Sequence, residues 1–421
     1  IVGIKIYESK HYVKKRSLLF LSIGFNLSLL GFFKYFNFFI DSFSDLLFVF
    51  GYEQQVFFTL NLVLPVGISF YTFQTMSYSL DIYYEKMKPV KDFVSFSAFV
   101  SFFPQLVAGP IERASNLLPQ MLSARNFDFQ LGISAIRQIL WGLFKKIVIA
   151  DNCAHYANLI FNNYEIYNSS ALIFGLFFFS FQIYGDFSGY SDIAIGTAKL
   201  FGFKLSINFK YPYFSRDISE FWRRWHVSLS SWFRDYLYIP LGGSKGGRFK
   251  SIRNIFIIFI VSGFWHGSNW TFIAWGSAHA ILYLLLFLRN KHRRNNNSII
   301  DTKYNFPKIN DFVNIIKTFS LVTIIWTFFR SDSIADSFIF LYNIIDVSII
   351  HIPNFAGKIN AFKTTVLISI MLIIEWKNRL FSFGFEQMVF KKNYIDFVIL
   401  LLIIIFFRSL GQNIEFIYFQ F

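Results

Sequence analysis

The sequence predicts an all-α integral membrane protein, a helical bundle that crosses the bilayer many times. Of its 421 residues, 54% are hydrophobic and 22% aromatic, and the mean hydropathy is +0.45, more than a soluble chain of this length needs to fill its core. Apolar runs also recur along the whole chain, several of them near the roughly 20 residues that a helix needs to cross the hydrocarbon core. They lie at residues 17–40, 56–78, 93–107, 131–150, 171–183, 193–203, 254–265, 271–288, 312–329, 337–345, 364–376 and 397–407. The shorter runs cannot cross alone. They are expected to be re-entrant, tilted or broken helices, because irregular backbone at membrane depth is tolerated only where it is buried in protein or lines a watery cavity.

The 40 Lys+Arg outnumber the 25 Asp+Glu, for a net charge of +15. These cations cluster between the apolar runs, as Lys14-Lys15-Arg16 and within 86–91, 245–253 and 289–294. That placement fits cytoplasmic loops and anionic headgroups, so the expected partner is the lipid bilayer and not nucleic acid. The single cysteine, Cys153, excludes an intramolecular disulfide framework and any multi-cysteine metal site, and it reads as a small buried apolar residue. No metal is expected. No cleavable signal peptide is evident, because the first apolar run is too long for one. The chain begins at Ile1, and truncation at the N-terminus is expected. Residues 1–421 are expected to form one integral membrane domain, with a cytoplasmic loop near 289–310 where Asn295-Asn296-Asn297 follow a basic run. No internal repeat is visible, which counts against an inverted-repeat transporter.

In so apolar a chain, the informative residues are polar side chains inside apolar runs, since each is costly to insert and needs a partner. Three stretches qualify. The first is SGFWHGSNW, 262–270, which interrupts the apolar stretch 254–288 between two basic clusters. With both flanks cytoplasmic it becomes a helical hairpin, its apex at Gly267-Ser268-Asn269 and His266 beside it. The run from 254 to 265 would span only about 18 Å, placing the break inside the bilayer. A neutral imidazole there can take a proton from a hydroxyl and pass it on; it can equally be a hydrogen bond between packed helices, the reading applied to His279.

The second stretch is SEFWRRWHVSLSSWFRDYLYIPL, 219–241. Read as one helix, it gathers Trp222, Trp225, Leu229, Trp232, Phe233 and Tyr236 into a stripe that includes His226, with Arg223, Arg224 and Arg234 at its flanks. Taken alone, it fits an amphipathic helix at the cytoplasmic interface. The third, QIYGDFSGYSD, 182–192, breaks another apolar run with Asp186, Ser188 and Asp192. Its carboxylates need partners: the arginines of the second stretch, a histidine whose ring they orient, or a salt bridge that braces the bundle.

In this order, these stretches closely resemble the bacterial polysaccharide branch of the membrane-bound O-acyltransferase family, whose typical member O-acetylates alginate. The resemblance spans nearly the whole chain, through FPQLVAGPIERASNLLPQ (103–120), QIYGDFSGYSDIAIG (182–196), FWRRWHVSLSSWFRDYLYIPLGG (221–243), SGFWHG (262–267) and the closing FIYFQF (416–421). It implies a bundle of about eleven spans with re-entrant helices in the bacterial cytoplasmic (inner) membrane. It assigns His266 as the histidine taken to be catalytic in that family and His226 as the second site residue. Asp186, Ser188, Asp192, Arg223, Arg224, Trp265 and Asn269, which stand in or beside these motifs, are expected to bind substrate or support the site. The implied reaction moves an acyl group, commonly acetyl, from a cytoplasmic thioester (acetyl-CoA or an acyl carrier protein) to an extracytoplasmic polysaccharide or peptidoglycan. No bound cofactor is implied, and an acetyltransferase outside the membrane is the expected partner. D-alanyl transfer to teichoic acid is the alternative within the family, and a transporter or flippase with proton-relaying histidines is the alternative outside it.

Overall fold

The computed structural model describes residues 1–52, 58–60, 62–291, 295, 306–387, 393–408 and 416, with backbone alone at 393 and 394. Among these residues every regular element is a helix. In chain order they are α1 (Val2–Glu8), α2 (Tyr12–Leu30), α3 (Phe36–Val49), α4 (Ile68–Tyr83), α5 (Phe93–Val100), α6 (Ala114–Leu122), α7 (Phe129–Leu143), α8 (Asp151–Phe161), α9 (Ser169–Leu200), α10 (Ile218–Arg224), α11 (Val227–Phe233), α12 (Arg248–His266), α13 (Trp270–Leu288), α14 (Ile309–Arg330), α15 (Ile334–Ile344), α16 (Lys358–Lys377) and α17 (Asn393–Phe407). Among the described residues, five segments are long and apolar enough to cross a membrane: Tyr12–Val49, in which a π-helical turn joins α2 to α3, and α9, α13, α14 and α16. Most of the loop expected near 289–310 and all of the closing motif except Phe416 lie outside the described residues.

The 32-residue α9 is the axis of the molecule, about 48 Å long. It packs along α7 and α8. The α7 seam closes because glycines stand where the backbones meet: a Cβ on Gly142 would lie 2.5 Å from the Gly189 carbonyl oxygen, and one on Gly196 would lie 2.8 Å from that of Ala135. Without much hydrophobic drive between helices in lipid, such close backbone approach is what gains dispersion contact. One buried apolar cluster runs from Ile6 near the start to Phe416 near the end, taking in both halves of the chain.

The acidic stretch of α9 does not break the helix, contrary to expectation; the apolar run 171–183 and most of the run 193–203, as far as Leu200, are parts of one continuous helix. The reason is a π-helical turn at Phe144–Ala150, directly after α7, that brings two adjacent lysines against α9. Lys145 pairs with Asp192 at 2.5 Å and Lys146 with Asp186 at 2.6 Å. Gln138 on α7 adds a 2.8 Å hydrogen bond to Asp192, so both carboxylates are answered within the helix packing.

The expected hairpin is present as α12 and α13, with Asn269 capping α13 by accepting from the Thr271 N–H at 3.0 Å. Its first arm differs from expectation. Helix α12 starts at Arg248 and runs for 19 residues, about 28 Å, close to the full hydrocarbon thickness. Its length therefore gives no reason to place the apex at mid-depth.

Candidate active site

His226 sits at a break in the chain. The single amphipathic helix expected over 219–241 is instead α10, then His226 in a left-handed conformation (φ +43°), then α11 and a π-helical turn at Arg234–Tyr238. A non-glycine residue in that region costs on the order of 1–3 kcal/mol and persists only where its surroundings hold it. The holding segment is the loop after α9. The Val227 N–H donates to the Asn208 carbonyl at 2.9 Å, and the Lys210 N–H donates to the Arg224 carbonyl at 2.9 Å. Asn208 thus caps α11 from another part of the chain, a role that a residue just before the helix would ordinarily take.

The aromatic stripe is real, but it faces protein. Trp225, Leu229, Trp232, Phe233 and Tyr236 are all buried, and His226 is 1% exposed, which replaces the interfacial-anchor reading. The ring of His226 packs edge-on against Phe187 of α9 with centroids 4.5 Å apart. Its Nδ1 lies 3.0 Å from Asn208 Oδ1, and its Nε2 is buried with no hydrogen-bond partner among the described residues.

His266 is the last residue of α12 and is 5% exposed. The carbonyls at a helix C-terminus lack intrahelical donors and attract cations. Here they are met by the turn between α2 and α3. Lys34 Nζ donates to the carbonyls of Trp265 (3.0 Å) and His266 (2.8 Å), and the Tyr35 hydroxyl donates to that of Phe264 (2.7 Å). Lys34, Trp265 and His266 border a small cavity of about 130 Å³ with the Pro65–Phe70 segment. The imidazole of His266 contacts Trp275 and Phe329 edge-on, with centroids 5.1 and 5.4 Å away.

The two histidines meet, their ring centroids 6.5 Å apart. Trp265 lies beside both, 5.0 Å from His266 and 6.0 Å from His226. Two imidazoles in an apolar, aromatic-walled interior can bind and deprotonate a hydroxyl where water competes poorly. A larger apolar groove of about 1010 Å³ lies between α14 and α16, but its lining among the described residues includes neither histidine.

The other expected site residues are committed elsewhere. Asp186 and Asp192 pair with the lysines after α7. The Ser188 hydroxyl donates to its own helix, at the Tyr184 carbonyl (2.6 Å). Arg223 donates to Ser219 Oγ (2.6 Å), and Arg224 donates to Glu220 (2.7 Å) and to the Lys210 carbonyl (3.2 Å). Besides capping α13, Asn269 donates to the Asp332 carbonyl at 2.9 Å. His279 departs from expectation too. Fully buried between Trp222 and Trp275, it has no hydrogen bond on either ring nitrogen among the described residues, and it packs as an aromatic. Cys153 is buried in the core, as expected.

Sequence reasoning missed Lys34, Lys145, Lys146 and Asn208. The three lysines were visible by the rule already in use, since each stands inside an apolar run (17–40 or 131–150). Asn208 gave no comparable signal, lying in a short polar segment outside every motif.

The model of the membrane-bound O-acyltransferase family matches residues 88–296, which hold both histidines. The chain is 34% identical over 470 aligned positions to a peptidoglycan O-acetyltransferase of Helicobacter pylori, covering 100% of this chain and 85% of that protein. It is 39% identical over 337 to a probable alginate O-acetylase of Pseudomonas putida, covering 79% of this chain and 66% of that one. A teichoic acid D-alanyltransferase of Streptococcus thermophilus is 32% identical over 234, covering 51% of this chain and 55% of that protein. A multi-pass helical chain with two buried histidines in its matched region, it belongs to the membrane-bound O-acyltransferase family.

Proposed function

We propose that this enzyme takes an acetyl group from a cytoplasmic thioester, acetyl-CoA or an acyl carrier, and delivers it to hydroxyls of an extracytoplasmic polysaccharide such as alginate, another exopolysaccharide or peptidoglycan. The observation that carries this reading is the meeting of His226 and His266 inside the bundle. The names of two relatives, a peptidoglycan O-acetyltransferase and a probable alginate O-acetylase, supply the acetyl group and the glycan. In the reaction, His266 removes the proton from the acceptor hydroxyl as that oxygen attacks the thioester carbonyl. The C–S bond breaks, and the proton passes to the departing thiolate. Transient residence of the acyl group on His266 is the two-step form of the same chemistry. His226 orients the substrate or steadies the developing oxyanion.

The remaining expected residues act by support: Trp265 walls the site, while Asp186, Ser188, Asp192, Arg223, Arg224 and Asn269 hold its frame. The wider setting is a single domain over 1–421 in the bacterial inner membrane, with about eleven spans and re-entrant pieces. Its support is the cluster shared by both halves and the apolar helices too short to cross alone. An extracytoplasmic acetyltransferase is the expected partner on the glycan side. The basic loops suit an anionic thioester donor.

D-alanyl transfer to teichoic acid is the second reading, favoured by the likeness to the Streptococcus enzyme. Purified protein in detergent, with no membrane gradient, separates the possibilities. Turnover of an acetyl thioester supports acetyl transfer. Turnover of a D-alanyl carrier alone would replace it with the second reading, and turnover of neither would leave a transporter.

A further inference from the structure

We propose that Asn208 is the positioning residue that fixes the tautomer of His226, holding the proton on Nδ1 and leaving the Nε2 lone pair to receive a substrate hydroxyl. The step from geometry to tautomer rests on which atom of the amide faces the ring. Asn208 Oδ1 lies 3.3 Å from the Ser228 backbone N–H, which can only donate, so the atom there must be the oxygen. A reversed amide would set its NH₂ against that N–H. The opposite end agrees, since Asn208 Nδ2 donates to Ser191 Oγ at 3.1 Å.

Ser228 strengthens the assignment. Its hydroxyl oxygen accepts the Ile111 N–H at 3.0 Å, which turns its own proton towards Asn208 Oδ1, 2.9 Å away. Nδ1 of His226, 3.0 Å from the same oxygen, must therefore donate. In a neutral ring the proton cannot then also sit on Nε2. The network joins the loop after α9 to α11, α9 and the segment before α6, so the ring is fixed from four parts of the chain.

The consequence sharpens the role of His226, and it rests on the acyltransferase reading above. A neutral imidazole with a bare Nε2 can hold a hydroxyl by accepting its proton in a hydrogen bond. It cannot donate from that nitrogen to an oxyanion. Of the two roles open to His226, the assigned tautomer selects orientation of the substrate, through a hydroxyl other than the one whose proton His266 removes.

Two measurements on the purified full chain test this. The first needs no turnover: the ¹⁵N spectrum of histidine-labelled protein, with the His226 signal assigned by its loss in His226→Gln, should show a protonated Nδ1 and a bare Nε2. A proton on Nε2 with Nδ1 bare would overturn the proposal, whether or not the enzyme acetylates anything. The second compares Asn208→Leu, which removes the acceptor, with Asn208→Asp, which keeps one. Outer-shell partners of metal-bound histidines are typically worth roughly 10–100-fold, and Asn208 holds its ring in the same manner. Asn208→Leu should lower kcat by that amount with KM for acetyl-CoA unchanged, and Asn208→Asp should restore most of it. A wild-type kcat in Asn208→Leu, or no recovery in Asn208→Asp, would contradict the assignment.

Discussion

The acidic stretch of α9 and the turn at His226 both place polar groups among apolar helices, yet they are built in opposite ways. On α9 each carboxylate meets a lysine, and Asp192 meets Gln138 as well. The helix runs through the insertion without a break. At His226 the helix is broken, the backbone takes a left-handed turn, and one ring nitrogen stays without a partner among the described residues. Charge that is fully answered braces a bundle; polarity left partly open, beside a second histidine, is available to a substrate. This contrast separates frame from chemistry more sharply than composition does.

It can be broken first at its open side. Replacing His226 with Ala should cut acetyl transfer by about 10²-fold, the order that a misplaced substrate costs, while the thermal transition of the purified protein stays near that of wild type. A large loss of Tm with little loss of kcat would reverse the roles assigned to the two regions.

At the braced side the effects should fall on stability. Lys145→Met leaves Asp192 buried without its cation and should destabilise the fold by about 3–5 kcal/mol, read as a drop in Tm. The double variant Lys145→Met, Asp192→Leu removes both charges and should recover much of that loss. Failure of the double variant to recover would show that the pair does more than brace. The smallest change is expected at the hairpin apex, where Asn269→Ala removes the cap of α13 and should cost about 1 kcal/mol, with activity per folded molecule preserved.

The two regions also differed in how far the sequence disclosed them. The α12–α13 hairpin was legible because Gly267-Ser268-Asn269 interrupts an apolar stretch, and Asn269 is a residue type that caps helices. His266 followed from its place at that interruption. The continuity of α9 was not legible, because local polarity resembles a helix end until its partners are known. Those partners, Lys145 and Lys146, lie some forty residues earlier, inside a run that looks like a plain span. The break at His226 was hidden for the converse reason. The sequence around it has a helical apolar stripe, and the groups that make the turn tolerable belong to Asn208 and its loop. Long-range satisfaction of polar groups decided both outcomes, and periodicity within one segment carries no record of it.

The central claim is that His266, at the end of α12 and beside His226, performs the acyl chemistry. The most direct measurement is acetyl transfer from acetyl-CoA by purified His266→Ala in detergent, alongside wild type, with its fold checked by thermal unfolding. The rate should fall by about 10²–10⁴-fold at an essentially unchanged Tm; a folded His266→Ala protein that transfers acetyl groups at the wild-type rate would remove His266 from the chemistry.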